Sequence, residues 1–82
     1  MDVSTEMLIG LIENQEVYCK NYIHIAQSIT PKALSLIIQS EWYLPEDELM
    51  IVLKEILSLN LDEVDWDALG HHFTAIAQKN TA

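Results

Sequence analysis

The sequence contains no arginine, one cysteine (Cys19), two glycines and two prolines. A single cysteine excludes an internal disulfide framework and a cysteine-based zinc site, and it fits a reducing compartment. Glycine at Gly10 and Gly70 alone excludes a phosphate-cradling glycine loop. No apolar run approaches the roughly 18 residues that span a bilayer. The start, Met1-Asp2-Val3-Ser4-Thr5-Glu6, is acidic where a secretory or organellar signal is basic, so a cytoplasmic location is expected. The only cations besides histidine, Lys20, Lys32, Lys54 and Lys79, lie far apart. Nucleic acid requires clustered Lys or Arg and is not expected as a direct partner, and anionic membranes are disfavoured for the same reason.

What the chain does have is apolar content and acid. Half of its 82 residues are hydrophobic, which a disordered tail would not carry. Thirteen Asp and Glu give a net charge of −9. The length suits one domain over residues 1–82, of a size that buries only about 60% of the surface its unfolded chain exposes.

The sparse punctuation divides the chain into helical segments. From Ser4, an expected N-cap, to Ile29, the residues Leu8, Leu11, Gln15, Tyr18, Tyr22, Ile25 and Ile29 step by three and four. Ile12, Cys19, Ile23 and Ala26 widen that stripe. A continuous helix over this segment would be about 39 Å long, against a radius of gyration of about 12 Å for a compact chain of this size. A break near Asn14 is therefore expected, with Asn14 capping a second helix; an unbroken helix covered by a second copy, a homodimer, is the alternative. Thr30-Pro31 predicts a cap and first turn, opening a helix that runs to about Glu41 and buries Leu34, Ile37 and Ile38 while Leu36 points elsewhere. Leu44-Pro45 with Glu46, Asp47 and Glu48 predicts another helix start. Its apolar arc is Leu49, Met50, Val52, Leu53, Ile56 and Leu57, with Ile51 on the opposite side. Asn60-Leu61 reads as a stop. Asp62 or Asp65 then caps a last helix whose face is Trp66, Leu69, Phe73, Ile76 and Ala77, with Gly70 beside it where a neighbour could approach closely. No period of two persists for a strand. The expectation is an all-α bundle of four helices, five if the first segment breaks.

Reactive chemistry is thin. His71 and His72 diverge by about 100° on a helix and do not supply the three- or four-residue spacing of a helical zinc pair. They would matter only if carboxylates from another helix met them. Cys19 has no cation aimed at it and reads as a small packing residue. The serines carry no nucleophile motif. Leu69-Gly70-His71-His72-Phe73-Thr74-Ala75-Ile76 has a superficial similarity to the attachment site of peptidyl carrier domains, but Phe73 stands where the arm-bearing serine must be, and no carrier role follows. No catalytic residue, cofactor or metal is expected.

Acid is concentrated. Glu41, Glu46, Asp47, Glu48, Glu55, Asp62, Glu63, Asp65 and Asp67 face Lys54 alone within residues 41–67. Helix capping and dipole chemistry account for many of these positions. Trp42-Tyr43-Leu44 sits among them, either as an aromatic contact ringed by charge or as the plug of an open bundle end. These features predict a non-enzymatic interaction protein of the inhibitor or immunity type that docks on a basic protein surface. The candidate contact residues are Glu41, Trp42, Tyr43, Glu46, Asp47, Glu48, Ile51, Asp62, Glu63, Asp65 and Asp67. The competing expectation is an assembly subunit or dedicated chaperone that buries a partner's amphipathic helix.

Overall fold

Thr30 sets the geometry of the middle of the chain. Its backbone is extended (φ −72°, ψ 157°), its Oγ1 accepts a hydrogen bond from the Ala33 N–H at 3.2 Å, and Pro31 follows as the first helical residue. The computed structural model describes residues 3–43, 51, 55 and 61–80, and among them all regular structure is helical. The helices are α1 (Val3–Glu13), α2 (Glu16–Ala26), α3 (Pro31–Trp42) and α4 (Trp66–Asn80), with a 3-10 turn at Leu61–Glu63. The protein is a small, compact all-α bundle with a Cα radius of gyration of 12.3 Å. Among the described residues no helix is long and apolar enough to cross a membrane.

The first segment breaks where length and compactness require it. Asn14 still donates its N–H to the Gly10 carbonyl (3.1 Å), which keeps it in the last turn of α1. Gln15 then tightens onto the Ile12 carbonyl at 2.9 Å and leaves helical geometry at φ −98°, ψ 88°. The cap position of α2 is therefore Gln15 and not Asn14, and its side chain makes no capping bond. Ser4 is likewise not a cap: Val3 is already helical, so Ser4 lies inside the first turn and is buried.

α3 buries Leu34, Ser35, Ile38 and Trp42, while Ile37 is half-buried and Leu36 is 54% exposed. Asp65, not Asp62, caps α4, its Oδ1 accepting from the Ala68 N–H at 3.2 Å. The α4 face forms as expected: Leu69, Phe73 and Ala77 are buried, and Trp66 and Ile76 pack at the margin. α4 rests chiefly on α3 and next on α2. Gly70 permits the closer contact. A Cβ there would stand deep inside contact distance of the Pro31 carbonyl oxygen, 2.9 Å from the Ser35 Cβ and 3.0 Å from the Ser35 nitrogen. α1 is tied to the far end of the chain by Thr5, whose buried Oγ1 accepts from the Asp65 N–H at 2.9 Å. The helix expected after Pro45, with its apolar arc, and the Asn60 stop lie outside the described residues. Ile51 and Glu55 are helical and exposed.

Candidate interaction surface

The expected contact residues divide by what each side chain already does within the fold. Trp42 is a correction to the surface reading. The four-residue step Leu34, Ile38, Trp42 carries it into the core at 1% exposure, so it is an interior residue and not a surface contact. Its indole Nε1–H donates to the Tyr22 hydroxyl at 2.8 Å, and that hydroxyl donates to Glu41 Oε1 at 2.7 Å. A buried indole and phenol each need a polar partner. This relay satisfies both and ends on an exposed carboxylate. Burial, and then the Glu41 carboxylate accepting its proton, push the Tyr22 phenol far above the ordinary tyrosine range.

An aromatic cluster surrounds the relay. Tyr18 meets Trp42 edge-on with ring centres 5.2 Å apart and lies 6.2 Å from Tyr22, while Tyr22 lies 5.7 Å from Phe73. Tyr18, one turn before Tyr22, is 40% exposed. The sequence placed Tyr18 and Tyr22 on one core stripe, and it gave no sign that the first would open to solvent while the second carried the relay. The polar tip of a buried tyrosine is the signal that points to a partner.

Tyr43 is exposed, donates to Asp62 Oδ1 at 2.7 Å and packs edge-on against Trp66 at 6.0 Å. The hydrogen bond to Asp62, more than the nearby charge, raises the Tyr43 phenol above its usual range. Asp67 accepts from Lys32 Nζ at 3.0 Å and from Ser35 Oγ at 3.3 Å, a hydroxyl also shared with the Lys32 carbonyl at 2.6 Å. The Lys32 ammonium first, then the Ser35 hydroxyl and the His71 charge, hold the Asp67 carboxyl below the usual range. A cation from outside the acidic stretch thus offsets part of its charge. Glu41, Asp62, Glu63, Asp65 and Asp67 are all exposed, as is Ile51 at 43%. Glu46, Asp47 and Glu48 lie outside the described residues.

His71 is exposed, and His72 lies at the boundary with its ring edge-on to Phe73 at 5.0 Å. His72 Nε2 stands 3.4 Å from Glu13 Oε2 on α1, a meeting of imidazole and carboxylate across helices that the spacing did not foretell. No third ligand joins them: among the described residues there is no group of three His, Cys, Asp or Glu that could hold a metal ion. Cys19 is half-buried against the core, and burial first, then Glu13, raise its thiol, which disfavours the nucleophilic thiolate.

An open cleft of about 270 Å³ runs between the α2–α3 connection and α4. It is lined by Ala26, Gln27, Ile29 and Pro31 on one side and Thr74, Ala77 and Gln78 on the other, none of them ionisable. The Thr74 hydroxyl is sealed from solvent and makes no hydrogen bond. No family model, curated protein or solved structure matches the chain, so the geometry above carries the functional argument alone.

Proposed function

We propose that the chain is a non-enzymatic interaction module of the inhibitor or immunity type, docking on a basic protein surface. The observation that carries this reading is the exposure of Glu41, Asp62, Glu63, Asp65 and Asp67 on a chain of net charge −9. Among these, Asp67 pairs with Lys32 at 3.0 Å. Such a surface steers basic partners toward it and orients them on arrival. Tyr43, exposed and fixed by its bond to Asp62, supplies an aromatic contact with little freedom left to lose on binding.

The test is capture of partners from host lysate on the immobilised protein at low and at high salt. A basic protein retained at low salt and released at high salt supports the reading. A complex indifferent to salt, or an acidic partner, overturns it. Val17 at 81% exposure and Leu36 at 54% give a second reading its footing. A dedicated chaperone or assembly subunit would present such apolar groups to a partner's amphipathic helix. Isolated protein that self-associates or binds hydrophobic dyes favours that alternative, whereas a charge-driven inhibitor remains monodisperse and dark.

A further inference from the structure

We infer that the exposed ring of Tyr18 and the carboxylate of Glu41 form a seat for an arginine side chain on the partner. The inference rests on the reading of the chain as docking on a basic protein, and it names where one cation is held. Three observations converge on it. Glu41 is exposed, and its one hydrogen-bond donor among the described residues is the neutral Tyr22 hydroxyl on Oε1. A carboxylate offers about four lone-pair sites, so most of its accepting capacity is open and its charge is uncompensated there. The same Tyr22 hydroxyl is fixed from behind by the buried Trp42 indole, which orients the carboxylate before any partner arrives. Tyr18 contacts both Tyr22 and Trp42, the two rings of the relay that ends on Glu41, so its ring is braced from within while part of its surface stays open.

Ring and carboxylate therefore border one buried pair of aromatics. The nearest lysine along α2, Lys20, is already engaged by Glu16 at 2.6 Å. A guanidinium suits the arrangement better than an ammonium, because it is planar, stacks on an aromatic face and donates a fork of N–H groups to a carboxylate.

The experiment is a titration of the ¹⁵N-labelled full chain with acetyl-Gly-Arg-Gly-amide, followed by NMR. The same peptide with citrulline and with lysine in place of arginine gives the two controls. The Trp42 indole N–H resonance reports the seat through the relay. The expected result is a saturable shift of the Trp42 indole and Tyr18 resonances with the arginine peptide, weaker with lysine and absent with citrulline. Glu41→Gln keeps an acceptor for Tyr22 while removing the charge, and Tyr18→Leu keeps apolar bulk while removing the ring. Each should weaken the apparent affinity by about threefold to fivefold, the scale of one exposed ion pair or cation–π contact. Circular dichroism confirms that each variant remains folded, and Tyr18→Phe should bind like the parent.

The seat is overturned if lysine and arginine bind alike, if shifts spread over all the acidic residues equally, or if both substitutions leave binding unchanged. Retention of a salt-releasable basic partner by Glu41→Gln and Tyr18→Leu at parental strength would sink the seat and leave the docking reading standing.

Discussion

Gly70→Ala and Gly10→Ala are the same chemical change in two helices, and the structure gives them opposite signs. Alanine is favoured over glycine in a helix interior by about 1 kcal/mol. At Gly10, within α1, an added Cβ meets nothing within 4 Å. That gain should appear in full, raising the melting temperature by about 4–8 °C for a domain of this size. At Gly70 the methyl group would enter the space held by the Pro31 carbonyl and the Ser35 backbone. Those atoms belong to the first two turns of α3, and no rotamer change removes them; α3 and α4 must separate instead. Overpacking of this kind costs about 1–3 kcal/mol, and a backbone obstacle places it toward the upper end. After the propensity gain is set against it, the net loss is about 1–2 kcal/mol, a fall in melting temperature of roughly 5–15 °C. Thermal and urea unfolding followed by circular dichroism measure both variants. A Gly70→Ala protein as stable as Gly10→Ala would refute the close approach of the two helices.

The relay predicts that Tyr22→Phe, which keeps the ring and removes the hydroxyl, leaves the buried Trp42 N–H without its acceptor and lowers stability by about 1–3 kcal/mol in urea unfolding; no change in the midpoint would dismiss it. Thr74→Val exchanges an unpartnered buried hydroxyl for a methyl group of similar shape, and it should raise the urea midpoint by an amount equivalent to about 1 kcal/mol, whereas a loss would mean the hydroxyl has a partner after all. Asp67 is held below the usual carboxylate range by Lys32, so its stabilising contribution is present above the unfolded-state pKa and disappears as pH falls through the lowered native value. Asp67→Asn should therefore cost melting temperature at neutral pH and converge with the parent in acid; parallel curves from pH about 7 down to about 2 would show that the bridge contributes nothing.

The elements most legible in the sequence are those whose causes are local. Thr30 and Pro31 state a cap and a first turn within two residues, and the described helix begins there. The break near Asn14 was legible because a straight helix would outrun so small a domain; its placement one residue later depends on where the Gly10 and Ile12 carbonyls find donors. Trp42 is readable from the sequence either as a contact ringed by charge or as the plug of a bundle end. The spacing from Leu34 through Ile38 already placed it inside. Pairings across long separations were not legible. Lys32 reaching Asp67, Thr5 receiving the Asp65 N–H and His72 approaching Glu13 depend on how the helices dock, which no residue spacing encodes. The acidic residues proposed as contacts are readable as composition, whereas the parts that Glu41, Asp62, Asp65 and Asp67 play in the fold are not.

α4 lies against every other described helix and supplies Leu69, Phe73 and Ala77 to the shared interior. During synthesis it is the last of the four to leave the ribosome. Until then the core that Leu8, Ile12, Tyr22, Leu34, Ile38 and Trp42 share with it lacks Leu69, Phe73 and Ala77. A nascent or prematurely terminated chain ending before Trp66 would present those side chains to holdase chaperones and proteases, so nonsense errors ahead of the Trp66 codon should yield rapidly degraded products instead of partial activity.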